Sequence, residues 1–418
     1  MAENKDILVI GGGISGLTTA IEAAEAGYNA TIVERNPYLG GRVAQLFKYF
    51  PKLCPPYCGL EINFKRIKTN PRITFYTGAE VENIGGNEGD FTASVKVNAR
   101  KVNEKCTACN ACVEACPVER PNDFNFGMDT TKAIYLPHDL AFPMRYVIDS
   151  SVCKGSECNK CKEACKYDAI DLDMQDKAVE INVGSIVTAT GWNPYDATKM
   201  DNLGFGKIKD VVTNMMMERL SAPNGPTKGA IKRPSDGKDV QSIAFVQCAG
   251  SRDENHLPYC SAICCMASLK QATYIREKNP ESDVYIFYID LRAPGKYEDF
   301  LNKIDADEKV KLIKGKVAKI EQDGDGVVVT AEDVIGGGKI NQKVDMVVLA
   351  AGMESALKGS NLLSTIKTEE SDFAVSEGQT EGIYAAGVAS RPNDVTTSVQ
   401  GATGAALKGI QSLVRRSE

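Results

Sequence analysis

The stretch DILVIGGGISGLTTAIEAAEAGYNATIVE, residues 6–34, decides the fold of this chain. Its first apolar run is typical of a buried parallel strand, a helical pattern follows the glycines, and a second apolar run ends at Glu34. Gly11, Gly13 and Gly16 have the spacing that permits a tight turn, close approach of a pyrophosphate and packing of helix on strand. Glu34 lies where a carboxylate accepts hydrogen bonds from ribose hydroxyls. We therefore predict a βαβ unit that binds a dinucleotide, with a purely structural turn as the alternative.

Composition limits the class of protein. With 418 residues and 43% hydrophobic content, the chain can form two or three cores. A formal charge of −6 without a basic run argues against a nucleic-acid partner. No apolar run is long enough to cross a bilayer and no secretion signal precedes the first strand, so we expect a cytoplasmic protein, attached to a membrane only through partners.

Cysteine and histidine usage points to cofactor chemistry. Fourteen cysteines at metal-ligand spacings, in a long chain without a signal peptide, favour bound metal over disulfides. With only two histidines in the chain, acid–base hydrolysis is a poor first hypothesis.

One cysteine run has the spacing C-x2-C-x2-C-x3-C-P, which is typical of ferredoxins that bind [4Fe–4S] clusters. This first set is Cys106, Cys109, Cys112 and Cys116. The second set, with a longer first spacing, is Cys153, Cys158, Cys161 and Cys165. Because the fourth cysteine of each ferredoxin run reaches the other cluster, we predict one cluster on Cys106, Cys109, Cys112 and Cys165, and another on Cys153, Cys158, Cys161 and Cys116. Structural zinc is the alternative.

A second candidate nucleotide turn, SIAFVQCAGSRDENHLPYCSAICCMASLK, residues 242–270, carries cysteines in place of glycines. The glycines that would admit a pyrophosphate are missing, and Asp253 and Glu254 would repel phosphate, so we predict no NAD(P)H site there. We predict that Cys264 and Cys265 begin a helix, and a helix N-terminus favours thiolates. We predict a third iron–sulfur cluster on Cys248, Cys260, Cys264 and Cys265, against the alternative of buried structural cysteines.

Two later stretches, ATGW (residues 189–192) and GIYAAG (residues 382–387), resemble recurring elements of thioredoxin-reductase-like flavoproteins with two dinucleotide domains. This resemblance favours FAD. Val388 departs from it, because many such proteins have an aspartate there that holds the ribityl chain. The candidate cofactor-binding residues are Gly11, Gly13, Ile14, Ser15, Gly16, Glu34, Arg35, Gly41, Arg42, Val81, Thr190, Gly191, Lys270 and Gly387.

The predicted fold class is α/β, with two dinucleotide-binding-type domains and an inserted ferredoxin-like 2[4Fe–4S] module. The predicted ranges are 1–102 for the first part of the FAD domain, 103–175 for the ferredoxin-like insertion, 176–220 for the FAD domain continued, 240–355 for the second dinucleotide-type domain and 375–418 for the last part of the FAD domain.

Cys54 and Cys58 remain outside these sets. A redox-active dithiol beside the flavin, extra cluster ligands and a structural pair are open alternatives for them.

The motifs GGGISGL, GGRVAQL, YFPKLCPPYCGL, CPVE, QCAGSRDE and YCSAICCMASLKQA together resemble the family of heterodisulfide reductase A subunits over nearly the whole chain. Within that family, the length and the stretch around Cys54 look most like the A subunit of the quinone-interacting membrane-bound oxidoreductase. The resemblance implies FAD, a cluster on the four cysteines of residues 248–265, and Lys270 facing the flavin. It also implies two kinds of partner, namely a second subunit with flavin and iron–sulfur clusters, and a quinone-interacting membrane subunit. Both ferredoxin sets are complete here, which departs from the quinone-interacting branch.

The sequence thus predicts an oxidoreductase subunit that passes electrons between FAD, [4Fe–4S] clusters and partners, in quinone-linked anaerobic sulfur metabolism such as sulfate reduction. The alternatives are a subunit of a soluble heterodisulfide reductase complex, including an electron-bifurcating one, a disulfide reductase using Cys54 and Cys58, and a zinc-containing scaffold.

Overall fold

The computed structural model describes residues 6–376 and 378–414. Its strands are β1 (Asp6–Ile10), β2 (Asn29–Glu34), β3 (Ile73–Thr77), β4 (Ala79–Asn87), β5 (Asp90–Val97), β6 (Glu119–Pro121), β7 (Thr130–Lys132), β8 (Ile134–Tyr135), β9 (Val147–Ile148), β10 (Lys177–Val183), β11 (Ser185–Thr188), β12 (Trp192–Pro194), β13 (Val211–Thr213), β14 (Ser242–Ala249), β15 (Asp283–Tyr288), β16 (Val310–Lys314), β17 (Val317–Asp323), β18 (Gly326–Glu332), β19 (Lys339–Val344), β20 (Met346–Ala351), β21 (Met353–Ser355) and β22 (Ile383–Ala385). The α-helices are α1 (Ile14–Glu25), α2 (Tyr57–Thr69), α3 (Ala111–Ala115), α4 (Lys160–Ala164), α5 (Asn214–Ser221), α6 (Cys264–Lys278), α7 (Tyr297–Asp305) and α8 (Val395–Val414). The 3-10 helices are Gly41–Gln45, Asp123–Asn125, Gly155–Glu157, Ala197–Lys199, Asp201–Leu203, Asn361–Ser364 and Gly387–Ala389.

The chain forms two compact units. The first comprises Met1–Trp192, Ser355–Arg391 and Val395–Glu418. The second comprises Asn193–Glu354 and Pro392–Asp394. The predicted ranges 1–102 and 375–418 include residues 1–5, 377 and 415–418, which lie outside the described residues.

A five-stranded parallel sheet in the order β22-β11-β1-β2-β3 organises the first unit. Ile7 and Val9 of β1 share a core with residues of α1 and α8. Leu8 and Ile10 face the other way, into a core with residues of β4 and β5. Since β1 is covered on both faces, its continuous apolar run is what a buried parallel strand requires. The predicted βαβ unit is confirmed as β1, α1 and β2.

An inserted module lies between two neighbouring antiparallel strands. β10 pairs with β5 along the whole length of β10, and Val97 and Lys177 are partners in the ladder. The chain leaves the antiparallel sheet after Val97 and returns to it at Lys177. The residues between them have a hydrophobic core of their own, which includes Val102, Ile134 and Tyr146.

The second unit also has a five-stranded parallel sheet, in the order β13-β20-β14-β15-β16. Helix α6 connects β14 to β15, which are parallel neighbours. An antiparallel sheet, β17-β18-β19, completes this unit. The first unit has the same combination, since its β10, β5 and β4 form a three-stranded antiparallel sheet.

The boundary between the units differs from the predicted one. The sequence pattern places the range 176–220 in the FAD domain, yet the second unit begins at Asn193. The reason is that β13 pairs in parallel with β20, and Val211 and Val212 are buried there. A short apolar stretch such as β13 does not reveal in sequence which distant strand it will join.

Among the helices of the described ranges, we find none whose length and hydropathy together would allow it to span a bilayer.

Candidate functional site

The glycine turn between β1 and α1 is forced by close backbone contacts. Gly11 has a φ of +110°, and a Cβ there would lie 2.3 Å from the Ala189 carbonyl oxygen. A Cβ on Gly16 would lie 1.8 Å from the Gly11 carbonyl oxygen and 3.3 Å from Val9. Both positions therefore need glycine for the protein's own packing.

Gly13 is different, because neither its backbone nor its neighbours require a glycine. Its φ is −74°, and a Cβ would meet only the Gly41 Cα, at 3.8 Å. Space in front of Gly13 is what a pyrophosphate approaching the amides of the α1 N-terminus needs. Thr190, another predicted cofactor residue, has a buried hydroxyl that makes no hydrogen bond to any residue of the described ranges. Both features fit a bound dinucleotide.

Glu34 is buried, and both of its carboxylate oxygens are engaged within the protein. Oε2 accepts a hydrogen bond of 2.6 Å from the Gly12 amide. Oε1 accepts from the backbone and side-chain amides of Asn36, at 2.8 and 2.7 Å. Burial raises the pKa of Glu34, and these donors lower it. Oε2 accepts one bond only, so it retains acceptor capacity for a ribose hydroxyl.

The loop after β2 carries several other predicted residues. Gly41 has a φ of +55° and begins a 3-10 helix, and its added Cβ would lie 2.8 Å from the Gly13 Cα. Arg42 donates to the Trp192 carbonyl and to Gln45, and burial lowers its pKa. The loop therefore lies against the glycine turn.

The remaining predicted cofactor residues of the first unit are placed as follows. Helix α1 begins with Ile14, Ser15 and Gly16, Arg35 follows β2, and Val81 is buried in β4. Gly191, next to Thr190, has a φ of +71°. Gly387, with a φ of +60°, begins the last 3-10 helix. A Cβ on Gly387 would lie 2.0 Å from the Ser15 hydroxyl, so the structure brings these two predicted residues together.

Three cysteines of the first ferredoxin set lie together. Burial and then the neighbouring Cys106 raise the pKa of the Cys112 thiol to about 12. Cys109 and Cys161 act on Cys112 in the same direction. Burial, and then Cys112, Cys106 and Cys109, raise the pKa of the buried Tyr146 to about 12. Tyr146, which the sequence did not single out, thus lies beside this set.

Three cysteines of the second set line a pocket in the module together with one cysteine of the first set. The cysteines that line it are Cys116, Cys153, Cys158 and Cys161, and its apolar wall includes Ile134 and Ile148. Burial, then Cys153 and Cys116, raise the pKa of the Cys161 thiol. Cys165 packs against the module core, and its Sγ accepts a 3.4 Å hydrogen bond from the Ala169 amide. Cys116, although it belongs to the first run in sequence, therefore lies beside the cysteines of the second run.

In the second unit, the four predicted cysteines meet where β14 ends and α6 begins. Cys248 lies near the end of β14 with a φ of +55°, and Cys264 and Cys265 form the first turn of α6. Burial raises the pKa of the Cys264 thiol. The neighbouring thiolates that raise it further are Cys248, Cys265 and Cys260.

Gln247, directly before Cys248, is a buried residue that the sequence pattern did not single out. Neither polar atom of its side-chain amide has a hydrogen-bond partner among the described residues. A buried amide without a partner is costly, so this side chain fits a bound group that the protein itself does not supply. Its position next to a predicted cluster ligand is the signal that could have identified it.

Lys270 forms a buried ion pair within the second unit. Its Nζ lies 3.0 Å from Glu218 Oε1, and the two side chains are 6% and 2% exposed. Gln271 donates to the same oxygen at 2.7 Å, and Tyr274 donates to Oε2 at 3.2 Å. Glu218 was not predicted as a site residue, because it lies in a methionine-rich helix without a motif. The flavin-facing role of Lys270 stays a prediction.

Cys54 and Cys58 flank the start of α2, and both lie near Tyr49. Cys54 accepts a backbone hydrogen bond from Tyr49, and Cys58 is exposed on the first turn of the helix. Burial raises the pKa of Tyr49, and Cys54 and Cys58 add to this effect. The three alternatives for this pair stay open.

No group of three His, Cys, Asp or Glu side chains in the described part of the chain converges as a single metal ion would require. A cubane cluster binds each thiolate to a different iron, so it does not need that convergence.

Comparisons with known proteins agree with this geometry. Residues 6–45 match the family model FAD dependent oxidoreductase, and residues 99–119 match the 4Fe-4S binding domain model. Thioredoxin reductase of Lactococcus lactis superposes with a TM-score of 0.55 at 15% identity, covering 98% of this chain and 99% of that one. The fold is therefore thioredoxin-reductase-like, as predicted.

Relatives similar over nearly the whole chain carry a more specific description. The A subunit of the H(2):CoB-CoM heterodisulfide,ferredoxin reductase of Methanothermobacter thermautotrophicus is 37% identical, over 98% of this chain and 64% of that protein. The A subunit of the Ferredoxin/F(420)H(2)-dependent CoB-CoM heterodisulfide reductase of Methanosarcina acetivorans is 36% identical, over 98% of this chain and 53% of that protein. The chain thus spans less than two thirds of the length of these relatives.

Two glycine substitutions separate packing from ligand binding. We expect Gly16→Ala to destabilise the first unit by about 1–3 kcal/mol or more, because its Cβ overlaps the Gly11 carbonyl. Gly13→Ala should fold normally and lose flavin, because its Cβ fills only the space in front of the α1 amides. Thermal unfolding and the flavin-to-protein ratio check both. Normal flavin content in Gly13→Ala would contradict the assignment of this turn.

Breaking the Lys270–Glu218 pair tests its burial. Lys270→Met leaves a buried carboxylate without its cation, which typically costs about 3–5 kcal/mol. The double variant Lys270→Met/Glu218→Gln should lose clearly less, because no charge is stranded. Hydrogen exchange of α5 and α6 measures the free energy of opening. Equal losses in the single and double variants would show that the two side chains do not interact.

Proposed function

Because this chain is similar, over 98% of its length, to the A subunit of a heterodisulfide reductase, we propose that it is the FAD and iron–sulfur electron-transfer subunit of an oxidoreductase complex. The observation that carries this is the meeting, within one module, of Cys116 from the first cysteine run with Cys153, Cys158 and Cys161 from the second. That arrangement fits paired [4Fe–4S] clusters and has no role in a dithiol reductase.

The FAD site we propose is the edge of the first parallel sheet. Gly13 leaves room for the pyrophosphate, and Gly387 lies against Ser15. Glu34 Oε2 can accept a further hydrogen bond, and the Thr190 hydroxyl has no hydrogen-bond partner among the described residues. Bound there, FAD supplies chemistry that joins a two-electron couple to one-electron carriers. The protein's contribution is to fix the glycine turn and the loop of residues 36–45 around it.

Three clusters are proposed, with ligands as follows. The first is held by Cys106, Cys109, Cys112 and Cys165, the second by Cys116, Cys153, Cys158 and Cys161, and the third by Cys248, Cys260, Cys264 and Cys265. The first is supported by the proximity of Cys106 and Cys109 to Cys112, and its fourth ligand, Cys165, follows from the exchange of ligands between ferredoxin runs. The second is supported by the pocket that all four of its cysteines line. The third is supported by the position of Cys248, Cys260 and Cys265 near the buried Cys264 thiol, and by the Gln247 amide, which has no partner among the described residues.

Other members of the same complex are the proposed partners, since each relative named above is described as one lettered subunit of a reductase. Their names mention hydrogen, ferredoxin and F420 as well as the heterodisulfide, which supports a heterodisulfide reductase type of complex. Quinone-linked sulfur metabolism, peripheral membrane attachment and a quinone-interacting membrane subunit rest on the sequence resemblance alone. We retain them as the finer proposal, with an electron-bifurcating complex and a disulfide reductase using Cys54 and Cys58 as alternatives.

Anaerobic purification tests the proposal directly. We expect about one FAD and about twelve iron atoms per chain, from three clusters of four irons. NADH should not bleach the flavin, because the second unit lacks the glycines of a nucleotide turn. Rapid bleaching by NADH would contradict the prediction that the second unit has no NAD(P)H site. Reoxidation of reduced flavin by small disulfides, lost in Cys54→Ser, would favour the disulfide reductase alternative.

Matched serine variants test the exchange of ligands between the two runs. Cys116→Ser should perturb the electron paramagnetic resonance signal of the cluster that Cys153→Ser also perturbs, because both side chains line one pocket. Cys165→Ser should perturb the cluster affected by Cys106→Ser. If Cys116→Ser and Cys106→Ser instead affect the same signal, each run holds its own cluster.

A further inference from the structure

Arg100 lies where the inserted module meets the loop after β2. Its Nε donates a 2.8 Å hydrogen bond to the Tyr146 carbonyl, and one terminal nitrogen donates to the Arg145 carbonyl. The other terminal nitrogen donates to the Pro37 carbonyl at 2.7 Å and to the Thr77 hydroxyl at 3.4 Å. The partly buried guanidinium is therefore held by the module on one side, and by the loop after β2 and the end of β3 on the other.

The charge of Arg100 has no carboxylate partner among the described residues, since its hydrogen-bond acceptors there are three carbonyls and one hydroxyl. A second cation, Arg145, lies beside it. Burial and then the Arg145 charge lower the pKa of Arg100 to about 10, while Tyr135 and Cys106 raise it. The buried Nε of Arg145 also lacks a partner in the described ranges. A nearby anion would stabilise two adjacent, partly buried guanidinium groups.

The first cysteine set lies on the module side of Arg100. Tyr146, whose carbonyl Arg100 holds, donates its own hydroxyl to Asn110 Oδ1 at 3.0 Å. Asn110 lies between Cys109 and Cys112 in the cluster loop. Cys106 is close enough to Arg100 for its thiolate to favour the charged guanidinium. The anion that these thiolates form when they bind a cluster is thus within electrostatic range of the arginine.

We propose that Arg100 is the counter-charge of the cluster on Cys106, Cys109, Cys112 and Cys165, and that it sets this cluster's reduction potential. The inference rests on the proposed function, because it requires that cluster. A cluster becomes more negative when it gains an electron, so a nearby cation stabilises the reduced form and raises the potential. Because Arg100 also donates hydrogen bonds to Pro37 and Thr77, its guanidinium is held at a fixed distance from the flavin-domain loop.

The potential of each cluster in the complete holoprotein tests the proposal. In an anaerobic redox titration followed by electron paramagnetic resonance, the signal lost in Cys109→Ser identifies the first cluster, because Cys109 belongs to it whether or not the runs exchange ligands. Arg100→Gln should make reduction of this cluster about tenfold less favourable, which is a fall of about 59 mV for a one-electron couple. The other clusters should shift much less, because the interaction weakens with distance.

Two variants serve as controls. Arg100→Lys keeps the charge while losing the fork of hydrogen bonds, so it should retain most of the wild-type potential. Lys105→Gln removes a cation adjacent to Cys106 in sequence. Since Lys105 is 63% exposed and paired with Asp168, its charge is screened and the potential should hardly change.

Each remaining outcome overturns the inference in a recognisable way. An equal fall in Arg100→Gln and Arg100→Lys would mean that Arg100 acts only by holding the backbone. Loss of flavin from Arg100→Gln with an unchanged cluster potential would assign the cation to the flavin phosphates. If the unaltered protein binds flavin but no cluster on these cysteines, the proposed function fails together with this inference.

Discussion

The carboxylate of Glu34 connects the glycine turn to the loop that follows β2, and the first unit depends on that connection. It is buried at the end of a parallel strand, and hydrogen bonds from Gly12 and Asn36 compensate its desolvation. With Asn36 fixed, its carbonyl accepts from the Gly78 amide, and the loop passes on to Gly41 beside Gly13. One buried carboxylate thus positions the turn, the loop and the neighbouring strand.

The same loop makes the contacts that hold the inserted module against the flavin domain. Leu39 forms an isolated bridge with Phe142, which also stacks on Phe64 with ring centroids 5.0 Å apart. Gln45 donates to the Phe124 carbonyl, and Pro37 accepts from Arg100. The proposed electron transfer between flavin and clusters would need a fixed separation, and the loop that Glu34 holds would contribute to it. The module is an insertion in sequence but is anchored at several points in space.

The two cysteine runs of the module share one local backbone arrangement. Asn110 and Asn159 each precede a one-turn helix, and both have left-handed backbone conformations, with φ of +72° and +48°. Asparagine tolerates this conformation better than other residues with a Cβ. Each helix then carries a buried cysteine, Cys112 in α3 and Cys161 in α4. The second unit differs, since its cysteines lie where the parallel strand β14 leads into α6.

The sequence by itself determined the local features: the glycine turn with Glu34, the spacing of the cysteine runs, and the start of α6 at Cys264. These depend on turn geometry and on ligand spacing within a few residues, which a single stretch of sequence specifies. Only the tertiary structure decided that β13 belongs with β20, that Lys270 pairs with Glu218, and that Arg100 lies between Pro37 and Tyr146. Such partners are far apart in sequence and carry no motif. They are selected by burial, because a charge or a strand edge removed from water must find a partner within the folded chain.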